Sequence, residues 1–398
     1  MKESKLYLEA LLATVLVFVV MGALALMPWN IKALNPLKEI VKDFRYTDLY
    51  YSQLRGKPGS VDTAIVLVNI GSADRATMAG LLEVLNGYAP AAIGLDVYFP
   101  ELKSPQEDSL LAAALQLNRD RLVAGNYLWE QPLEAPQVLG SASLFSLPQS
   151  GYLNLVGEDS LNTTIRHFRP FIRHGESEYT SWATRLAAAV DPQAVEALKK
   201  RERSIELIHY SGDWERFVHY EADEILAGGV AKNALANKIV LLGYLGEQVG
   251  EKRVMEDLHF TPLNPEQLGR SKPDMYGMVI QANIISMILR GDYINEMPFW
   301  LELLLAFAIC YLHTLLFVYF FVKQHLWYHP VAKLVQLLTS IFLVYAMVVF
   351  YANANYSINT TLMVLAVLLS VDVLYLYETL AAYLYKKRGT HSYFIHHH

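Results

Sequence analysis

Long apolar runs at both ends of the chain predict four membrane-spanning helices. The first run covers residues 6–27 and is interrupted only by Glu9. Three more follow near the other end: residues 299–322, 331–351 and 360–385. At about 1.5 Å per residue, each run can cross a hydrocarbon core of about 30 Å. The basic Lys2 and Lys5 before the first run also suit a secretory signal, but the run exceeds the roughly 7 to 15 apolar residues of such signals, which favours an uncleaved anchor.

The basic residues predict how these helices are oriented. They lie before the first run, between the second and the third, and after the fourth: Lys2, Lys5, Lys323, Lys333 and residues 386–388. If four helices alternate across the bilayer, all three positions share one side, and Lys and Arg concentrate on the cytoplasmic side. We therefore expect a multi-pass plasma (inner) membrane protein with both termini in the cytoplasm, a periplasmic or extracellular domain of residues 28–298, and a short basic tail of residues 386–398.

Within residues 28–298, short apolar runs alternate with segments of helical periodicity. The runs that suit buried strands are residues 64–70, 91–97, 122–124 and 238–243. The segments that suit helices between and after them are residues 74–86, 109–117, 180–190 and 274–289. This alternation predicts an α/β domain with a mostly parallel sheet. Residues 151–172 alternate with period two and predict an antiparallel portion, and residues 31–54 predict an amphipathic helix continuing from the first span.

Composition supports a protein that is partly in lipid and partly in water. The 398 residues include 33 Lys and Arg against 39 Asp and Glu, a net charge of −6, and a mean hydropathy of +0.22. These values exclude a disordered chain and an ordinary nucleic-acid binder. The single cysteine, Cys310, excludes a disulfide framework and a cysteine-based zinc site. Signatures of nucleotide-binding and hydrolytic enzymes are missing from the sequence, so we predict neither an enzyme nor a cofactor.

The polar residues that follow the predicted strands form a candidate ligand site. Ligands of open parallel sheets bind outside the carboxyl ends of the strands. That rule gathers five residues: Asn69, Asp96, Gly243, Asp257 and Thr261. The alternative interpretation is structural, with Asp96 capping backbone amides and Asp257 bonded to Thr261.

Two further hypotheses concern metal binding and the membrane helices. Asp257 and His259 with Glu256 would be a metal site, but residues of these types meet on loops by chance, so we predict no metal. His313 and Asp372 lie in predicted helices that run in the same direction, at depths that differ by only about 3 Å. We predict an intramembrane pair between them, either structural, in contact with a partner, or on a proton path.

The order of several motifs resembles the type-2 CHASE domain, a sensory extracellular domain associated with cyclases and histidine kinases. The landmarks are AIVLVNI, AAIGLDVYFPE with Asp96 and Phe99, the set Gly151, Asn154, Asp159 and Arg166, then NKIVLLG, DLHFTPL and MYGMVIQANIISMILRGDYI. The chain departs from the pattern at Asn69, where the family often has Asp, at Gln281, where it often has His, and in a longer loop at residues 244–256. Three membrane helices after the domain also belong to the pattern.

The resemblance implies a sensory function without an output domain in this chain. Relatives usually continue into a cytoplasmic kinase or cyclase, whereas only KKRGTHSYFIHHH follows the fourth apolar run, and its closing histidines resemble a tag. We therefore expect a bacterial membrane sensor or signalling subunit that binds a ligand or an envelope protein and acts through a separate membrane or envelope partner. The chain could also form a homo-oligomer. The alternative is a non-sensing assembly or docking subunit of an envelope complex. A transporter ranks third, since it rests on His313 and Asp372 alone.

Overall fold

The computed structural model describes residues 2–26, 48, 50–55, 59–131, 134–155, 164–252, 257–265, 272–323 and 328–388. The chain forms two compact units, one of Met1–Asn35 with Asn295–His398 and one of Pro36–Ile294. We call them the membrane unit and the α/β unit. Most of the predicted helix at residues 31–54 lies outside the described residues, which hold one π-helical turn at Tyr50–Leu54.

The helices of the described residues are α1 (Lys2–Leu26), α2 (Arg75–Tyr88), α3 (Pro105–Leu117), α4 (Trp182–Val190), α5 (Pro192–Lys199), α6 (Ala222–Leu226), α7 (Lys232–Leu235), α8 (Gly277–Arg290), α9 (Phe299–Lys323), α10 (Tyr328–Ala354) and α11 (Thr361–Arg388). The strands are β1 (Asp62–Asn69), β2 (Ala92–Leu95), β3 (Leu122–Trp129), β4 (Gln137–Leu139), β5 (Ser150–Tyr152), β6 (His167–Phe168), β7 (Phe171–His174), β8 (Ser177–Thr180), β9 (Glu206–Leu207), β10 (Phe217–Glu221), β11 (Ile239–Gly243), β12 (Leu258–His259), β13 (Met275–Tyr276), β14 (Asn295–Glu296) and β15 (Tyr356–Ser357).

A seven-stranded mixed sheet forms the centre of the α/β unit. Its order is β10-β1-β11-β2-β3-β4, and β5 pairs with β3. All these pairings are parallel except that of β3 with β4. Short antiparallel pairs, β6 with β9, β7 with β8 and β12 with β13, lie outside the sheet. The predicted mixed α/β fold is confirmed.

Helices cover both faces of this sheet, because the central strands are apolar on both faces. On one face, Val66 of β1 and Leu242 of β11 pack with residues of α2 and α3 in one buried cluster. On the other face, Trp182 of α4 is fully buried and donates its indole N–H to the Val123 carbonyl at 3.1 Å. Gly94 of β2 makes room for this indole, since a β-carbon there would lie 2.6 Å from Trp182 Cζ2.

The membrane unit contains α1, α9, α10 and α11, each long and apolar enough to cross a membrane. This confirms the four predicted apolar helices. Side-chain hydrogen bonds connect α1 to α9 and α10 to α11. The Thr14 and Thr314 hydroxyls are 2.7 Å apart, and the Gln336 amide donates to the Val367 and Leu368 carbonyls at 2.7 and 3.0 Å. Such bonds satisfy polar groups where lipid offers no partner.

Cys310 of α9 is also enclosed in this unit. Its side chain has no measurable exposure, and its Sγ lies 3.7 Å from the Ala366 carbonyl oxygen of α11. The thiol therefore fills the contact between two apolar helices as a small hydrophobic group.

Candidate functional site: a polar cavity at the end of the parallel strands

Register brings the carboxyl ends of four parallel strands to one edge of the sheet. Asn69 at the end of β1 is paired with Glu221 of β10 and with Gly243 of β11. On the other side of β11, Leu242 is paired with Leu95, so Asp96 is the first residue beyond the end of β2. Asp96 and Gly243 therefore become neighbours at this edge.

A cavity of about 250 Å³ opens beside Asp96 and Gly243. Its polar lining consists of Asp96, Tyr127, Asn154, Asp257, His259 and Gln281. The rest of its described wall comes from Leu153, Leu155, Tyr244, Gly277 and Met278. We call it the Asp96 cavity. Of the predicted ligand residues, it is lined by Asp96 and Asp257.

The Asp96 carboxyl is half-buried, lines the cavity and has no bonded partner among the described residues. Burial, and secondarily the charge of Asp257, raise its pKa to about 8. A carboxylate that is partly removed from water and has no counter-charge beside it is unfavourable, so the group holds its proton at neutral pH instead. The structural interpretation, in which Asp96 caps backbone amides, is not observed among the described residues.

Asp257, His259 and Tyr127 give the cavity its other titratable groups. Asp257 is exposed, whereas the His259 ring is partly buried. Burial lowers the pKa of His259, and the nearby Asp257 charge opposes that shift. Burial also raises the pKa of Tyr127 to about 12, with smaller contributions from Asp96 and Asp257. At neutral pH the imidazole and the phenol are therefore uncharged.

Gly243 contributes space rather than a side chain. A β-carbon at this position would lie 2.6 Å from the Met278 sulfur and 3.0 Å from Asp96 Cβ. Real β-carbons do not approach other atoms this closely, so glycine is what allows β11, the start of α8 and Asp96 to meet.

Hydrogen bonds to the backbone hold two amide side chains of the wall in place. Asn154 accepts from the Leu128 N–H at 2.8 Å and donates to the Leu128 carbonyl at 2.9 Å. Gln281 of α8 is buried and donates to the Leu153 carbonyl at 3.0 Å. From the family resemblance we expect His at residue 281, where this chain has Gln. The cavity wall therefore carries an amide at this position instead of an imidazole.

Asn69 and Thr261 do not line the Asp96 cavity. The Asn69 amide donates to Glu221 Oε2 at 2.8 Å and to the Gly246 carbonyl at 3.0 Å, and it accepts from two backbone N–H groups. Thr261 donates its hydroxyl to Asp274 Oδ2 at 2.6 Å, rather than to Asp257. Both side chains are buried with their bonds satisfied, so each stabilises a loop.

The predicted pair of His313 and Asp372 is not formed. The His313 ring lies 2.8 Å from the Ile309 carbonyl and 3.0 Å from the Thr339 hydroxyl of α10. Asp372 lies 3.7 Å from the Lys333 ammonium group instead, and both side chains are largely exposed, at 67% and 57%. Equal depth along two helices does not fix the rotation of each helix about its own axis. Here His313 contacts Thr339 of α10, whereas Asp372 is exposed beside Lys333.

Sequence reasoning missed the aromatic and amide lining of the cavity. Tyr127 lies in the second half of β3, which the apolar run predicted only as far as Ala124. Tyr244 follows β11 directly, and the strand-end rule could have included it. Asn154 was identified only through the family motif. In the same motif Gly151 approaches the Trp182 backbone, where a β-carbon would lie 2.6 Å away, and Arg166 forms a buried ion pair with Asp48.

The Asp96 cavity gathers groups that can bind a small molecule. The Asp96 cavity offers hydrogen-bond acceptors, two aromatic side chains and a proton-holding carboxyl, and no group of three metal-ligating side chains is found among the described residues. Among known families, the model of the CHASE2 domain matches residues 15–317 of this chain. No curated protein and no solved structure matches it.

Proposed function

Since the chain belongs to the CHASE2 domain family, a sensory family associated with signalling, we propose that it is a multi-pass membrane sensor that acts through a separate partner. In this proposal a small ligand binds in the Asp96 cavity of the α/β unit. The observation that carries it is the Asp96 carboxyl, which has no bonded partner among the described residues and lines a cavity with converging polar groups at the ends of parallel strands. A ligand would supply a partner that the described residues do not.

The orientation belongs to the same proposal. Basic residues before α1, around the start of α10 and at the end of α11 favour a cytoplasmic location for both termini. The α/β unit would then face the periplasm or the exterior, where it meets ligands before they enter the cell.

A charged surface in the membrane unit supports a partner. Lys333 of α10 and Asp372 of α11 lie on the exposed side of two apolar helices. A charge that faces hydrocarbon inside a membrane helix, as Asp372 would in α11, costs on the order of 3 kcal/mol, so a polar membrane segment of another protein would stabilise this surface. We infer that the Lys333–Asp372 surface is where the signalling partner packs.

Native mass spectrometry of the full chain, released from its native membranes in mild detergent, tests both parts together. The wild type should carry a small molecule and a protein partner in defined stoichiometry. Asp96→Asn should lose the small molecule and keep the partner, whereas Lys333→Leu combined with Asp372→Leu should do the reverse. Leu338→Ala, an exposed apolar position on α10, is the matched membrane control and should lose neither.

The outcomes separate the two candidate functions. A partner with a cytoplasmic catalytic domain supports sensing. Components of an envelope machine, without a bound small molecule, would instead establish the assembly or docking subunit. Retention of the partner by the double Leu variant would show that the Lys333–Asp372 surface is not the contact.

A further inference from the structure

The Asp96 cavity has a distinct charge character, and from it we propose that the ligand is a small organic ammonium ion. This inference rests on the proposed function, because it names the chemical class that the same cavity takes. Asp96 and Asp257 contribute carboxyl groups to the lining, and no Lys or Arg belongs to the described lining. Anionic ligands would meet these carboxyl groups without a counter-charge.

The aromatic side chains strengthen the preference for a cation. Tyr127 and Tyr244 both line the cavity. The face of a tyrosine ring attracts a desolvated ammonium group, and combinations of carboxylates with aromatic rings recognise primary and quaternary amines. A neutral ligand of the same shape would gain burial but not this attraction.

Size limits the ligand to a small molecule. A cavity of about 250 Å³ is below the 300 to 1,000 Å³ that is typical of sites for drug-sized ligands. Amines with fewer than about a dozen non-hydrogen atoms fit this space, while peptides and oligosaccharides do not.

A metal cation is the less suitable occupant. Divalent metals need three or more protein ligands at short, fixed distances, and the described side chains provide no such group. An ammonium group is satisfied by one carboxylate together with the neighbouring acceptors Asn154 and Gln281.

Binding of an ammonium ion releases one proton from Asp96. The groups that face Asp96 across the cavity are Asp257, His259, Tyr127 and Tyr244, and the empty cavity keeps Asp96 protonated to about pH 8. An ammonium ion pairs with the deprotonated form, so the carboxyl proton leaves to solvent as the ion enters. Affinity therefore rises by about tenfold per pH unit between pH 6 and 7.5.

Isothermal titration calorimetry of the full chain in mild detergent, with choline, ethanolamine and 1,4-diaminobutane as probes, tests this proposal. The neutral control is 3,3-dimethylbutan-1-ol, which has the shape of choline with carbon in place of nitrogen. At least one ammonium probe should bind at a single site, with the pH dependence above, and the neutral alcohol should not compete. Asp96→Asn should weaken binding by about 10- to 100-fold, the loss of a charged hydrogen bond.

Controls separate charge from folding. Asp120→Asn makes the same substitution at an exposed carboxylate outside the cavity and should leave binding unchanged. The second variant is Tyr127→Leu, which replaces a partly exposed ring. It should weaken binding of the ammonium probe without a strong change in the melting temperature. Equal binding of the alcohol and choline, or equal binding by wild type and Asp96→Asn, overturns the ammonium assignment.

Failure of this inference is distinguishable from failure of the proposed function. Acetate and glucose are titrated beside the amines. If one of these binds in an Asp96-dependent way and the amines do not, the ligand class is wrong and the ligand site stands. If no probe of any class binds and native mass spectrometry finds no retained small molecule, the proposed sensing function fails as well.

Discussion

Gly243 leaves the space that the Asp96 side chain occupies, for a β-carbon at residue 243 would lie 3.3 Å from Asp96 Oδ2 as well as 3.0 Å from its Cβ. Asp96 directly follows β2, and Gly243 ends the neighbouring parallel strand β11, so the register of the sheet brings the two residues together. The position of the Asp96 side chain therefore depends on the absence of a methyl group at residue 243.

Gly243→Ala should destabilise the α/β unit and disturb the cavity together. The added methyl group must displace the Met278 sulfur and the Asp96 carboxyl, and overpacking of this kind costs about 1–3 kcal/mol. Denaturant unfolding monitored by tryptophan fluorescence measures the loss. Gly87→Ala in α2 is the control, because a β-carbon there meets nothing within 4 Å, and it should be neutral or stabilising. Equal unfolding midpoints for both variants would contradict the close approach.

Asp96→Asn should remove a pH dependence of stability. The folded protein holds the Asp96 proton to about pH 8, whereas the unfolded chain releases it near pH 3.8. The contribution of Asp96 to the stability of the folded state is therefore fully present below pH 3.8. It is lost as the pH rises from 3.8 to about 8. At pH 8.5 the Asn variant should be more stable than the wild type, by an amount on the order of a few kcal/mol.

The difference between the two unfolding curves isolates Asp96. Asp274, whose pKa burial raises to about 6, contributes equally to both proteins. Asp120→Asn should retain the wild-type slope between pH 4.5 and 8.5. Parallel curves for Asp96→Asn and the wild type would show that Asp96 is ionised throughout this range.

Asn69→Asp should destabilise the edge of the sheet. The Asn69 amide donates hydrogen bonds to Glu221 and to the Gly246 carbonyl, so a carboxylate at residue 69 would face two acceptors. The loss of both donors and the new repulsion should cost about 3 kcal/mol. Adding Glu221→Gln returns a donor and removes one charge, so the double variant should recover part of the unfolding free energy. No recovery would mean that the Asn69–Glu221 contact contributes little.

Sequence patterns predicted the elements that carry contiguous apolar residues. β1, β2 and β11 differ from their predictions by at most two residues at either end, because strands covered on both faces are apolar throughout. β10 was missed: it lies at the edge of the sheet, only Phe217 is fully buried, and its other residues are polar or half-buried. An edge strand gives no long apolar run to detect.

The candidate site was predicted in part, for a reason of geometry. The strand-end rule gathers residues at one edge of the sheet, and Asp96 and Asp257 do meet there. It does not give the direction of each side chain. Asn69 is in register with Gly243 but bonds to Glu221 on the β10 side, and Thr261 bonds to Asp274. These directions follow from loop conformations that one sequence does not reveal.

Arg166→Met should be strongly destabilising, because it leaves the Asp48 carboxylate buried without its main partner. The guanidinium binds both carboxylate oxygens, at 3.1 and 2.6 Å, and the side chains are 3% and 0% exposed. Breaking a buried pair from one side costs about 3–5 kcal/mol. Arg173→Met breaks an exposed pair with Glu178 and should cost less than about 1 kcal/mol.

A double-variant cycle measures the coupling in this pair. Asp48→Asn combined with Arg166→Met should be less destabilised than the sum of the single changes, since no charge remains buried alone. Additive free energies of unfolding would show that the two groups act independently.

Because Cys310 is enclosed between α9 and α11, a cysteine introduced elsewhere in this protein can be labelled selectively. The Cys310 thiol is the single one in the sequence and has no exposed surface, so maleimide reagents should leave the folded wild type unlabelled. A cysteine introduced at Asp120 or Lys387 would then be the sole reactive group, without removal of the native one. Impermeant labels applied to intact cells would report directly which side of the bilayer each position occupies.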